Sequence, residues 1–514
     1  MKSDIPVTPE PRFHTPNSPK DAAAVILLRQ DTNPNNPEVF WVKRGDNLGF
    51  LAGFHAFPGG QLDPSDSEVE VKNSSDLQTA SMISGAAREV FEELGVLLAR
   101  GAETLTRGQR ASLLDDLESG RMSWPALLNH YDLHLDASDF TFAGRWVTPP
   151  FSARRFDTWF FLVTCPLKQE PSVVPGELAE GEWIAAQTAY ERWLKGDVIA
   201  VPPTLHALKT LAGGITPDLT NRFLAIPQAH GEPTRRIEFR PHYMCFPVRT
   251  PTKPPATHTN CYLIYNSSEI LILDPGSPYE DEQHALAACI DELISEGRKV
   301  REIVLTHLHP DHVGGVNSLR AHLGESVQVA AHIETAQGLS DIKVDRLIHD
   351  KATIKLEGDP QIILHALHTP GHARGHLCFH DEQTGVLITG DNIVGLGSVL
   401  IDPPEGNMRE YLDSLQRVRA LPNLSVLFGG HGPAMANPYK KIDEYIAHRH
   451  KREGRILEAV RSGGATPKEI VALVYTDVSP KAHAMAERAV LAHLDKLEAD
   501  GLVVRKDHEH YQTA

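Results

Sequence analysis

The chain of 514 residues contains no run of about 18 apolar residues, so no membrane-crossing helix is expected. Cysteine is scarce: Cys165, Cys245, Cys261, Cys289 and Cys378 are odd in number, scattered, and never in C-x-x-C spacing. That excludes a disulfide framework or a zinc ribbon and suits a reducing cytoplasm. An excess of cationic charge is also missing. The formal net charge is -17, so any nucleic acid must be met by a local patch. The first residues, MKSDIPVTPEPRFHTPNSPKD, are polar and Pro-rich with no apolar core, unlike a signal peptide. There is no internal repeat. What remains, 41% hydrophobic and 23% charged, is the composition of a soluble globular protein with more than one domain.

Patterning divides the chain. Residues 1–22 read as a flexible tail. Residues 23–225 form a first domain, with strands AAVILLRQ and EVFWVKRG and a helical pattern over about 80–100. A strand-rich stretch over about 142–165 follows, then helices at about 187–196 and after Pro202-Pro203. The Pro/Gly-rich segment AIPQAHGEPTRR marks a linker at 226–236. Over 237–440, short apolar strands (NCYLIYN, EILILDPG, REIVLTH) alternate with helices such as 281–297, the mark of a layered α/β domain. Residues 441–514 are helical up to a final LVVRKDHEHY.

Residues 306–315 read THLHPDHVGG. Imidazole and carboxylate are ligands that suit zinc, and a metal pocket needs several converging together. In H-x-H-x-D-H, His307 and His309 point the same way from an extended loop and can grip one ion. Asp311 and His312, at the turn into the next helix, can reach a second. Further ligand types follow apolar runs and sit beside glycine: His372 in HTPGH, Asp391 in TGD and His431 in FGGHG. Asp274 in LILDPG is a candidate to orient a ligand.

This ordered set resembles the metallo-β-lactamase superfamily. The resemblance implies one zinc held by His307, His309 and His372, another by Asp311, His312 and His431, and Asp391 bridging both. Asp311 is also read as a catalytic residue. Two neighbouring cations lower the pKa of a shared water and stabilise charge in a transition state. Retention of His431 and the full first run fits glyoxalase II-like and nuclease-like members better than lactamases proper.

The tail helps choose. TPKEIVALVYTD carries a T-x-x-E capping box, Thr466 and Glu469, with Pro467 at the first helical position. In AERAVLAHLDKLEADG, Ala489, Val490, Leu494 and Leu497 repeat at helical spacing and Gly501 ends the helix. LVVRKDHEHYQT reads as a hairpin wing. Three helices and a wing form a winged-helix pattern; a plain helical cap or dimerisation element has the same features. Only HRHKREGR offers a phosphate-facing patch. Metal domain and tail together resemble the lactamase-β-like endoribonuclease family, which implies cleavage of single-stranded RNA.

In the first domain, REVFEELGV places Glu89, Glu92 and Glu93 on one helix face, where they repel unless they share a cation. With Arg88, Gly95 and the upstream FPGGQLD, this resembles the Nudix pattern G-x5-E-x7-R-E-U-x-E-E-x-G-U. The resemblance implies that Glu89, Glu92 and Glu93 hold Mg²⁺ or Mn²⁺ against a pyrophosphate, with Glu92 and Glu93 catalytic. Gly60 to Arg88 spans 28 positions (88 − 60), about twice what the pattern allows. About 14 residues, roughly SEVEVKNSSDLQTA, are inserted, and Asp66 stands at the upstream Glu position. GFHAFPGGQLD and RRFDTWFF resemble the peroxisomal coenzyme A diphosphatase branch. Gly60, Arg154 and Arg155 are candidate substrate contacts.

The expected architecture is therefore α/β and α+β: a Nudix α/β/α sandwich, a metallo-β-lactamase αββα sandwich and a small winged helix. The expected activity is bifunctional metal-dependent hydrolysis in the cytoplasm. The substrate class is RNA or a small molecule, with acyl-coenzyme A or a lactoyl-thiol as the thioester alternative. A non-catalytic RNA-binding regulator is the remaining reading, and a homodimer is among the candidate partners.

Overall fold

A computed structural model describes residues 17–463, 466–476, 478–506 and 510–514. Residues 1–16 of the expected tail lie outside the described residues. The chain divides into two compact units between Met244 and Cys245.

The first unit is built on one sheet. Its strands are β1 (Lys20–Leu28), β2 (Glu38–Arg44), β3 (His55–Ala56), β4 (Gly59–Gln61), β7 (Thr141–Val147), β8 (Phe156–Thr164) and β9 (Leu178–Ala185). The order is β3-β2-β1-β8-β7, with β4 on β1 and β9 on β2. β1 lies parallel to β8, Ala24 opposite Phe160. Its near-continuous apolar run is explained by burial on both faces. Ala23, Val25 and Leu27 enter one core with Met82, Ala86, Val90 and Phe91 of the helix Leu77–Leu94. Ala24, Ile26 and Leu28 enter the other, with Ala189 of the helix Ala186–Leu194 and Leu208 and Leu211 of the helix Pro202–Ala212. The period of two thus produces the expected α/β/α layering.

The inserted residues are folded. The short strand β5 (Val71–Lys72) pairs with β6 (Leu135–Asp136), and Asp76 caps the long helix by accepting from the Thr79 amide. That helix starts at Leu77 and ends at Gly95, whose φ of 66° suits the left-handed cap.

The second unit carries two sheets. One runs β11 (Tyr243–Arg249), β12 (His258–Tyr265), β13 (Glu269–Leu273), β14 (Lys299–Val304), β15 (Gln328–Ala331), β16 (Arg346–Leu347). The other runs β17 (Thr353–Leu356), β18 (Ile362–His368), β19 (Leu377–Asp381), β20 (Val386–Gly390), β21 (Val426–Gly429). Tyr262 of β12 stacks on Phe428 of β21, centroids 5.5 Å apart, so the two sheets meet face to face. The outer face of the second sheet (Leu367, Cys378, Leu387, Leu427) is covered by Tyr411, Leu415 and Val418 of the helix Met408–Arg419 and Ile442 of the helix Pro438–Arg461. The loops that follow β13, β14, β18, β20 and β21 carry Asp274, the His307–His312 run, His372, Asp391 and His431; Glu89, Glu92 and Glu93 lie on the long helix of the first unit.

The C-terminal segment packs its own core from Ile456, Ile470, Val490, Leu494 and Tyr511. The helices Pro438–Arg461, Pro467–Val474 and His483–Ala499 are followed by a wing, β22 (Val503–Arg505) against β23 (Tyr511–Thr513). Thr466 and Glu469 form the expected capping box. The basic run differs from its expected role. Arg449 is buried, stacks on Tyr411 and donates to the Val399 carbonyl. Arg452 is buried, stacks on Tyr475 and donates to the Val474 carbonyl at 2.8 Å. Helical periodicity turns these two inward, so HRHKREGR is not a phosphate-facing patch of four cations. No described helix is long and apolar enough to cross a membrane.

Phe91 is fully buried between the long helix and the sheet and lies beside Trp124. Phe91→Ala is expected to destabilise the first unit by about 3–5 kcal/mol, read from its urea transition.

Candidate metal centres

β14 ends in buried Leu305 and Thr306, and the loop that follows turns into the short helix Pro310–Val313. The Asp274–Gly276 turn runs directly beneath it. A Cβ on Gly276 would strike the Asp311 carbonyl, and one on Gly315 the Pro275 carbonyl. Asp274 holds a left-handed φ of 50° and accepts from the Thr306 amide at 2.8 Å and the Thr306 hydroxyl at 2.6 Å. The same carboxylate lies 2.8 Å from His312 Nδ1.

Three imidazoles are aimed by the same device. His312 Nδ1 faces Asp274, His372 Nδ1 donates to the Leu400 carbonyl at 2.8 Å, and His431 Nδ1 donates to the His258 carbonyl at 2.8 Å. Each Nε2 is left to point inward. His312 Nε2 lies 3.5 Å from Asp391 Oδ1; His372 and His431 Nε2 lie 3.6 and 3.3 Å from Oδ2. His431 Nε2 is also 3.5 Å from Asp311. His307 Nε2 and His309 Nδ1 are 3.0 Å apart.

The ligand atoms of His307, His309 and His372 lie within 4.8 Å of one another, as do those of Asp311, His312 and His431, and those of His307, His312 and Asp391. The structure thus brings together all seven residues read as ligands. His312 Nε2, His372 Nε2 and Asp391 Oδ1 are buried without a hydrogen-bond partner. An unpaired buried polar atom costs about 1–3 kcal/mol. Divalent cations would satisfy these atoms together, and the imidazole and carboxylate donors suit them.

The charge is arranged accordingly. Burial pushes the Asp391 carboxyl up, but His431 and His312 outweigh it and hold it well below the usual carboxylate range. Burial pushes His307 well down and His309 down to about 3, so both are neutral donors.

Two supporting residues escaped the sequence. Asn260 donates to the carbonyls of Gly429 (2.9 Å) and Gly432 (2.8 Å), clamping the turn that carries His431. His376 is buried against the Asp391 backbone; its one signal was the spacing of four through His368, His372 and His376. A further group, His332, Glu334 and His368, has its ligand atoms within the same 4.8 Å. Its two rings stack face to face at 4.1 Å, however, so their in-plane lone pairs do not converge. Gly430 lies against Asp391 Oδ1 and His312, where a Cβ would overlap both. Gly430→Ala should lower metal content, measured by elemental analysis, while the urea transition of the first unit stays unchanged.

A second cluster lies in the first unit. Arg88 grips Asp66 with two bonds, Nε to Oδ1 and Nη2 to Oδ2, both 3.0 Å. Asp66 is completely buried and closes a capping box with Asp63. Arg88 Nη1 reaches Glu89 at 2.9 Å and Glu92 at 2.7 Å. The Gly59 amide donates to Glu93 at 2.9 Å, and Gly60 lies so close to Glu89 that a Cβ would overlap its carboxylate. Arg155 is spent on the carbonyls of Thr148 (2.9 Å) and Asn17 (3.0 Å). Arg154 is exposed beside Gly49.

Burial, with a smaller contribution from Glu92, raises Glu89 to about 7; burial and Glu89 raise Glu93 to about 8. Such carboxylates fit a hard divalent cation in their midst. The folded state therefore holds these protons more tightly than the unfolded chain. The resulting stability is full below the ordinary value of 4.5 and is lost as pH rises through about 7 to 8. In chelator, the melting temperature of the first unit should fall between pH 5 and 8, and Mg²⁺ should restore it. A flat profile indifferent to Mg²⁺ would contradict this.

Two family profiles match the second unit: the metallo-beta-lactamase superfamily over residues 254–431 and the beta-lactamase associated winged helix domain over residues 466–510. A beta-lactamase-like protein 2 homolog of Drosophila melanogaster is 30% identical over 272 residues, 49% of this chain and 87% of that protein. An atrochrysone carboxyl ACP thioesterase of Passalora fulva is 30% identical over 256 residues, 48% of this chain and 72% of that protein. Among solved structures, a NUDIX hydrolase from Alicyclobacillus acidocaldarius is 31% identical, covering 39% of this chain and 95% of its own, with a TM-score of 0.34. The histidine-aspartate centre, the sheets that carry it, the two profiles and the Drosophila melanogaster relative agree: the chain belongs to the metallo-beta-lactamase superfamily of hydrolases, with the winged helix associated with that superfamily at its C-terminal end.

Proposed function

We propose that the chain is a bifunctional hydrolase acting on acyl-coenzyme A-type compounds: the second unit cleaves the thioester and the first the diphosphate. The observation that carries the first half is the set of buried lone pairs of His312, His372 and Asp391 that converge without partners. His307, His309 and His372 would hold one Zn²⁺ and Asp311, His312 and His431 the other, with Asp391 between them. When bound, such a pair acidifies water and offsets the negative charge of the transition state. The chain's own residues orient those ligands: Asp274, Leu400 and His258 fix the outward nitrogens.

Thioester is favoured over RNA on two grounds. Arg449 and Arg452, half of the cations expected to face phosphate, are folded into the protein. A relative that matches over 256 residues, 72% of its own length, is named as a thioesterase.

In the first unit, Asp66 sits where the Nudix pattern calls for its upstream glutamate and pairs with Arg88 in spite of the insertion. Glu89 and Glu92 meet at Arg88 and Glu93 at the Gly59 amide; a Mg²⁺ or Mn²⁺ ion would have to draw these carboxylates together, and a diphosphate is the substrate class such an ion serves.

A substrate panel tests both halves: an acyl-coenzyme A, free coenzyme A, a lactoyl-thiol, a β-lactam and single-stranded RNA. His309→Ala should reduce thioester cleavage at least about 100-fold, because several kcal/mol of transition-state charge stabilisation is lost, and leave diphosphate cleavage intact. Glu92→Gln/Glu93→Gln should do the reverse. RNA cleavage lost in His309→Ala, without thioester cleavage in the parent, would replace this reading by a nuclease.

A further inference from the structure

Several ligand loops meet at the second unit's metal centre, and a buried histidine outside the ligand set laces them together. His376 is fully buried at the start of β19. Its Nε2 accepts the Asp391 amide at 3.1 Å. That nitrogen therefore carries no proton, and in the neutral ring the proton lies on Nδ1, 2.9 Å from the Thr369 hydroxyl. Thr369 Oγ1 accepts from Nδ1 and turns its own hydrogen to Cys378 Sγ at 3.2 Å. The Cys378 thiol donates to the Thr389 carbonyl at 3.6 Å. One acceptance, from Asp391, thus fixes every donor in the series.

The backbone repeats the pattern. Thr369 N–H donates to the His376 carbonyl and Leu377 N–H to the Thr306 carbonyl, both at 2.9 Å. His376 therefore touches the loops that lead to His372, to Asp391 and to His307. Gly390 makes the approach feasible: it has a left-handed φ of 45°, and a Cβ there would lie 2.9 Å from His376 Nε2. With Nε2 filled by an amide, His376 is not itself a ligand, although its type and position suggest one.

We propose that His376 is a positioning residue for the carboxylate shared by the two ions. By accepting the Asp391 N–H it fixes the backbone from which Oδ1 faces His312 and Oδ2 faces His372 and His431. Without that anchor the His307–His309–His372 group still converges, but Asp391 no longer spans both sites. The proposal rests on the two-ion reading above.

The test is a Co²⁺ titration of metal-stripped, full-length protein, following stoichiometry, the affinity of each ion and the visible d–d spectrum. The parent should bind two ions. His376→Leu should retain the first and weaken the second about 10–100-fold, the usual scale for an outer-shell partner. His376→Gln, whose amide oxygen can accept the same N–H, should return the second affinity and the spectrum close to the parent. His376→Asn, too short to reach, should not, and it gives the comparison if the leucine variant fails to fold. Equal second-ion affinity in the glutamine and asparagine variants, or parental affinity in the leucine variant, would overturn the positioning role. A parent that binds one ion or none would instead overturn the two-ion reading, so the two failures are told apart.

Discussion

The second unit depends on one difficult constraint: five imidazoles and two carboxylates must be held within a few ångströms of one another inside a protein core. Unpaired, such groups cost more than most packing defects. The solution has two parts. The outward nitrogens of His312, His372 and His431 are each given a fixed acceptor: Asp274, the Leu400 carbonyl or the His258 carbonyl. Three inward atoms, His312 Nε2, His372 Nε2 and Asp391 Oδ1, are left bare for a cation. β14 of one sheet and the parallel pair β20 and β21 of the other lead into the ligand loops, and glycines at 276, 315 and 430 let the turns cross at distances that exclude a Cβ. The fold is shaped by the need to keep lone pairs both buried and unspent.

The first unit meets a related problem by another route. Its three glutamates crowd one face of a helix, but the positive charge among them is partly built in. Arg88 bonds to Asp66, Glu89 and Glu92 at once, and its guanidinium fork is suited to several carboxylates. Glu93 stays outside that network and depends on the Gly59 amide, which is why burial raises it most. A built-in cation offsets part of the repulsion among these carboxylates, although burial still raises all three glutamates. The histidine centre has no arginine among its carboxylates; Asp391 and Asp311 meet only imidazoles there.

These differences decide what was legible in the sequence. Ligand residues are chemically rare and cluster at strand ends beside glycine, so His307–His312, His372, Asp391 and His431 could be read directly. So could the sheet buried on both faces and the Thr466 capping box, because hydrophobic period and cap chemistry are local. Residues that act by supporting others were hidden. Asn260 is remote in sequence from the turn it clamps, and nothing in its neighbours marks it. His376 looks like a ligand, and only the amide at its Nε2 shows otherwise. The pairing of Asp66 with Arg88 was obscured by an insertion that the structure folds into a strand and a helical extension. The basic run at 448–455 was misjudged for a related reason: charge is visible in sequence, but the helix phase that buries Arg449 and Arg452 is set by tertiary packing.

Those inward arginines have a consequence for the centre. The segment from Ile393 to Pro404 follows Asp391 and supplies the Leu400 carbonyl that aims His372. It is held in part from the C-terminal side. The Tyr445 hydroxyl bonds both the amide and the carbonyl of Val394. Arg449, stacked on Tyr411, donates to Val399. Arg488 of the helix His483–Ala499 engages Asp402 and the Pro403 carbonyl. Val399, Asp402 and Pro403 lie within three residues of Leu400 and Val394 six residues before it, so the orientation of the His372 imidazole depends on side chains from two helices of the C-terminal segment. One cation that a sequence reading assigns to nucleic acid, Arg449, is used here to hold the loop that carries Leu400. The winged helix is thus bound mechanically to the metal centre, whatever else its exposed surface meets.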